Sequence, residues 1–184
     1  MHGWAKTSAV MGRRNYLIEG VSGAGKSAVW EELRRRGYAA INGDRELAYQ
    51  GDPATGARVE VLGDDAETRH GHHIWDIEKV RALAADRSDD ATFFCGGSRN
   101  FAQYIDLFDA VFVLDVDVAT LQARLDARDE NDWGKRPSER ALVLRLHATK
   151  EDTPGNGIVL DATLPLARVV DAILARAGMP RPRN

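Results

Sequence analysis

Eight consecutive residues, Gly20-Val21-Ser22-Gly23-Ala24-Gly25-Lys26-Ser27, fill every fixed position of the pattern G-x-x-x-x-G-K-[ST]. No other feature of the chain restricts its fold as strongly, because such a loop works only between a buried strand and the first turn of a helix. Both flanks have the right character. Tyr16-Leu17-Ile18 is a short apolar run fit for a buried strand, and residues 28–36 have helix-forming composition with Trp30 and Leu33 on one side. Three glycines let the chain turn tightly and aim successive N–H groups inward, where the following helix adds the positive end of its dipole. The loop residues Gly20, Ser22, Gly23, Ala24, Gly25, Lys26, Ser27 and Ala28 are therefore the expected contacts to a polyphosphate. Lys26 supplies a mobile charge for the outer phosphates, and the Ser27 hydroxyl is a ligand for the magnesium that accompanies them.

At 184 residues the chain is long enough for one domain with a sizeable core. We expect that domain over residues 15–178, with 1–14 as a disordered extension and 179–184 as a disordered tail. No apolar run approaches the roughly 20 residues that span a bilayer, and the N-terminus lacks the apolar segment of a signal peptide, so the expectation is a soluble, cytoplasmic protein. A single cysteine, Cys95, rules out an internal disulfide framework and a cysteine-based zinc site. The net charge of −3 argues against nonspecific nucleic-acid binding, which needs a basic excess. Oligomeric state leaves no mark on the sequence.

Along the chain, strands are expected at 38–41, 91–95, 110–114 and 158–160, alternating with helices at 74–85, 118–128, 138–150 and 166–177 and a helix or helical turn at 101–108. With the strand before the loop this makes five strands in an α/β fold, a parallel sheet with helices on both faces. In such a sheet, ligands bind at the carboxyl ends of the strands. That edge receives Asp44, whose bland alternative is a turn or cap residue, and Gly96-Gly97 with Arg99, whose alternative is a surface arginine. Residues 45–73 are rich in turn formers and read as a mobile substrate-side segment. Its histidines, His70, His72 and His73, have no convincing metal-ligand spacing and read as solvated loop residues. The polar stretch 128–137, with Arg128 and Arg136-Pro137, reads as a flap that closes over the nucleotide.

With these features together, the chain resembles the small P-loop kinases of the shikimate, gluconate and adenylate kinase group, over residues 16–177. The resemblance implies a three-layer fold with sheet order 2-3-1-4-5 and a lid, ATP and Mg2+ as donor and cofactor, and a small-molecule phosphate acceptor. It implies that Asp44 contacts magnesium and the accepting hydroxyl, that Gly96 and Gly97 line the acceptor site, and that Arg128 and Arg136 serve nucleotide and phosphate. Thr163 and Pro165 fall where the group closes around adenine, and Trp75 and Arg99 face the acceptor. Two departures stand out: Ser98 replaces a third glycine, and Trp75-Asp76 occupies the place of an arginine that would hold the shikimate carboxylate. Shikimate is rejected on that ground. The residues Leu17-Ile18-Glu19 before Gly20 are also similar to thymidylate kinases, but no later Asp-Arg-aromatic motif follows. The main expectation is thus a kinase. A nucleotide-dependent switch acting on a protein or RNA partner is the alternative, and an RNA end kinase would need a basic groove that the charge balance does not promise.

Overall fold

The structure is a computed structural model in which residues 13–179 are described; most of the extension and tail expected from the sequence lies outside these. Arg14 is already the first residue of β1 (Arg14–Glu19). The chain continues through α1 (Lys26–Arg35), β2 (Ala39–Asn42), α2 (Gly43–Glu46), β3 (Ala48–Gln50), α3 (Ala66–Gly71), β4 (His73–Trp75), α4 (Ile77–Ala85) and β5 (Ala91–Cys95). Two short 3-10 turns (Phe101–Gln103 and Ile105–Leu107) lead into β6 (Ala110–Asp115), α5 (Val118–Asp126), α6 (Pro137–Thr149), β7 (Ile158–Asp161) and α7 (Leu166–Arg176).

β2, β5, β1, β6 and β7 form one sheet in that order, with every pair parallel. Counting only these five strands along the chain gives 2-3-1-4-5, the expected order. Strand periodicity explains the layers. Tyr16, Ile18, Phe93 and Phe112 face one side and pack with Val29 and Leu33 of α1 and Val170 and Ile173 of α7. Their neighbours Leu17 and Phe94 face the other side and pack with Val80 and Ala84 of α4, Trp75 and Tyr104. The sheet is thus covered on both faces.

One sequence expectation needs correcting. The helix expected over 74–85 starts only at Ile77, because Ile74 and Trp75 belong to β4, which pairs antiparallel with β3 (Tyr49 opposite Ile74). An isoleucine and a tryptophan, both fully buried here, fit a pleated strand better than a first helical turn. Asp76 then caps α4 by accepting the Lys79 amide N–H at 3.2 Å. The segment 45–73 carries short elements of its own, the β3 strand and α3.

Candidate active site

The loop between β1 and α1 has the geometry that its glycines allow. Gly20, Gly23 and Gly25 carry φ of 146, 93 and 112°, all in the region that side chains avoid, and the Gly25 cap starts α1 at Lys26. Lys26 Nζ donates to the carbonyls of Gly20 and Val21, the latter at 3.3 Å. Burial pulls its pKa below the ordinary lysine range, against Asp44 and Glu19, which hold it up. Arg124 ties the loop to its surroundings: Nη1 donates to the Ala24 carbonyl at 2.9 Å and Nη2 to the Ala162 carbonyl at 2.7 Å. Arg128 donates to Ser22 Oγ at 3.0 Å and to the Trp133 carbonyl.

Beside the loop lies a cavity of about 350 Å³. Its walls bring together Lys26 and Ser22 from the loop, Asp44 from α2, His73 from β4 and Gly97 and Arg99 from beyond β5. Asp44 sits in the first turn of α2, where Asn42 is the cap (its Oδ1 accepts the Arg45 N–H at 3.2 Å), so Asp44 is free of the capping role. Its Oδ1 accepts from His73 Nε2 at 3.2 Å. Desolvation raises the Asp44 pKa, but the His73 hydrogen bond and the charge of Lys26 outweigh it and hold the carboxyl below its ordinary range. It is therefore an ionised oxygen ligand and hydrogen-bond acceptor at neutral pH. Asp44 and the exposed Ser27 both offer hard oxygens, the kind that suits magnesium alongside phosphates, but only Asp44 lines the cavity.

Gly97 is needed for close approach. A Cβ there would lie 2.6 Å from Oε2 of Glu19, which turns out to be a wall residue of the cavity. Glu19 is only 3% exposed; Oε2 accepts the Gly20 N–H at 3.1 Å, while Oε1 has no partner among the described residues. Burial pushes its pKa up to about 7, against the pull of Lys26 and the Gly20 amide. Ser98, in place of the third glycine, is fully buried and bonds Asn100 Oδ1 at 2.7 Å and Tyr104 OH at 2.6 Å. Asn100 in turn holds the backbone of Trp75 through two bonds at 3.0 and 2.9 Å. The serine thus anchors the glycine turn to β4.

Not every residue expected at the site faces the cavity. Trp75 is fully buried behind the wall, stacked on Tyr104 at 5.5 Å between ring centroids, and is not among the lining residues. Its ring lies 2.7 Å from where a Cβ of Gly96 would be, so Gly96 makes room for it. Arg136 turns to Asp64 at 2.9 Å, joining the flap to the 45–73 segment. Thr163 caps a turn through Asp161, at 2.9 Å from its N–H, and Pro165 precedes α7; both are exposed and outside the cavity lining. The histidines, by contrast, are not left to solvent. His70 pairs with Asp152, His72 bonds the Gly51 carbonyl at 3.1 Å and His73 holds Asp44. Arg99 also pairs with Asp152. Glu19, Gln50 and Asp152 escaped the sequence reading; only Glu19, an acid ending an apolar strand, carried a local signal.

Among solved structures, the chain is similar to a sugar kinase from Janibacter sp. HTCC2649 (23% identity, 90% of this chain and 95% of that one, TM-score 0.52). It is also similar to deoxyadenosine kinase from M. mycoides with bound dATP (16%, 90% and 99%, 0.54) and to shikimate kinase from Bacteroides thetaiotaomicron (13%, 90% and 99%, 0.59). The fold is that of the small P-loop kinases. No protein-family model matches the sequence, and no curated protein matches it.

Proposed function

We propose that the chain is an ATP-dependent phosphotransferase that moves the γ-phosphoryl group to a hydroxyl of a small molecule. The observation that carries this reading is that one cavity holds both the phosphate loop with Lys26 and an ionised carboxylate, Asp44, oriented by His73. Lys26 would leave its loop carbonyls for the transferring phosphate, and Arg128, already on Ser22, would share the developing charge. Ser27 and Asp44 would hold magnesium, which when bound neutralises phosphate charge. Asp44 would also orient the acceptor hydroxyl and take its proton as the new O–P bond forms, the bond to the β-phosphate breaks and ADP leaves. ATP as donor draws support from the fold shared with nucleotide-bound deoxyadenosine kinase. Thr163 and Pro165 would flank the base, and Arg136 would join the phosphates if its contact with Asp64 opened. Among the described residues no helix is long and apolar enough to cross a membrane; this reading places the enzyme in the cytoplasm.

ADP release measured across a panel of hydroxyl-bearing acceptors tests the proposal, with Asp44→Asn as the decisive variant. A kinase should lose about 10²- to 10⁴-fold in turnover while keeping its affinity for nucleotide measured without magnesium, because Asp44 acts on the acceptor and the metal and not on the nucleotide itself. The switch reading finds its support in three ion pairs between the 45–73 segment and the lid side: Arg136–Asp64, Arg69–Glu139 and Arg145–Glu67. Acceptor-independent ATP hydrolysis that is untouched by Asp44→Asn would favour that reading instead.

A further inference from the structure

We infer that the acceptor half of the cavity is built for an uncharged polyhydroxyl molecule and turns away carboxylates and phosphate esters. The inference rests on the kinase reading only in naming that molecule as the phosphate acceptor.

The charges of the wall carry the exclusion. Three acidic side chains line the cavity, Glu19, Asp44 and Asp152, against three basic ones, Lys26, Arg69 and Arg99. Each cation is already engaged. Arg99, only 14% exposed, is paired with Asp152, which also holds His70. Arg69 lies 3.4 Å from Glu139 Oε1 with its guanidinium 5.2 Å from the Trp133 ring centroid. Lys26 sits on the loop carbonyls at the donor end. An anionic acceptor that reached Arg99 or Arg69 would have to break its pair and then face the carboxylate left behind, which is how a site rejects a ligand by charge.

The unpartnered atoms carry the selection. Four buried side-chain polar atoms among the described residues have no hydrogen-bond partner, and three of them belong to residues of this one wall: Gln50 Oε1, Glu19 Oε1 and Arg99 Nε. Buried polar groups left unpaired in a folded protein call for an explanation, and a ligand is one. Two of these atoms are acceptors and one is a donor; each is shielded from the open cavity, so its side chain must turn toward a ligand to use it, and together they match a group that both donates and accepts. A hydroxyl does both; an ionised carboxylate or phosphate only accepts. Trp133, Val143 and Leu146 complete the wall with apolar surface suited to the carbon skeleton of such a molecule.

The test uses the full-length protein with the phosphate loop filled by a non-hydrolysable ATP analogue and magnesium, so that added anions cannot settle there. Matched pairs are titrated by calorimetry: D-glucitol against D-gluconate, cytidine against cytidine monophosphate, myo-inositol against its monophosphate. For wild type, at least one neutral member should bind ten-fold or more tighter than its anionic partner. Asp152→Asn, which frees Arg99, should gain ten-fold or more for the anionic members. An anionic member that binds wild type as well as its neutral partner overturns the inference, as does a panel in which no neutral member binds. A folded Asp152→Asn protein that gains no anion affinity overturns it too; the wild-type comparison stands without the variant should that protein not fold. ADP release from ATP reports separately on the kinase reading: neutral binding without turnover keeps this inference and removes that reading, and turnover of anionic members alone does the reverse.

Discussion

The two halves of the cavity are built on different principles. In the donor half every strong polar group is engaged within a single stretch of chain and its immediate supports: Lys26 on loop carbonyls, Arg124 on Ala24, Arg128 on Ser22. In the acceptor half, groups from β1, β3, β4, the turn after β5 and the loop after α6 converge, and three of them keep an unpaired polar atom. A loop that grips phosphate can be self-contained because its ligand is met by backbone amides, which any sequence supplies once the glycines permit the turn. A site that recognises one small molecule needs distinct side chains at distinct angles, and no contiguous segment can provide them.

The comparison is easiest to break at its strongest point. Lys26→Ala removes the one mobile cation of the donor half, and turnover should fall by about 10²- to 10³-fold with every acceptor alike, as for loss of a preorganised charge donor. An effect that differs strongly between acceptors in steady-state assays would mean that Lys26 belongs to both halves.

Glu19, which lies between the halves, should show itself in stability. Its folded pKa of about 7 exceeds the ordinary 4.5, so folding favours the protonated form. The cost of the buried charge is absent below pH 4.5, grows as the pH rises through that window and is complete above about 7. Relative to wild type, Glu19→Gln should then be more stable by on the order of 3 kcal/mol at pH 8 and nearly equal at pH 4.5. Urea unfolding at the two pH values checks this, and a difference that does not vary with pH would refute it.

Gly97→Ala probes the acceptor half alone. Its Cβ would lie 2.6 Å from Glu19 Oε2, and overpacking of this kind costs about 1–3 kcal/mol. Acceptor affinity should drop while nucleotide affinity holds, and the stability loss should shrink in a Glu19→Ala background, where the clashing carboxylate is gone. The smallest effect is expected far from both halves. The Arg36–Asp171 pair, 2.6 Å apart with Asp171 half-exposed, joins α1 to α7, and Asp171→Ala should cost about 1 kcal/mol or less with no change in turnover. A larger catalytic effect would mean that the seating of α1 tunes the loop it follows.

Legibility in the sequence follows the same division. The loop, its flanking strand and helix, and the five strands were readable because their signals are local: fixed spacing, apolar runs and glycines at strand ends; the order of those strands in the sheet came from the resemblance to small P-loop kinases. Asp44 was placed at the right edge by topology alone, since it follows β2 by two residues. The misreading of Ile74 and Trp75 as helix came from apolar residues that fit either period, decided only by pairing with β3. The histidines misled for a different reason. Nothing near His70 in sequence announces Asp152, which lies 82 positions away and reaches it across the cavity.

By itself the sequence determined a phosphate-loop pattern at the end of a buried strand in a parallel α/β sheet, because that loop resides in backbone torsions that glycine spacing dictates. Tertiary structure alone decided the rest. It buried Glu19 under Gly97, turned Arg136 toward Asp64, withdrew Trp75 behind the wall and neutralised Arg99 with Asp152. Charge pairing and burial depend on which distant side chains arrive together, and those two quantities are what the proposed selectivity of the acceptor half rests on.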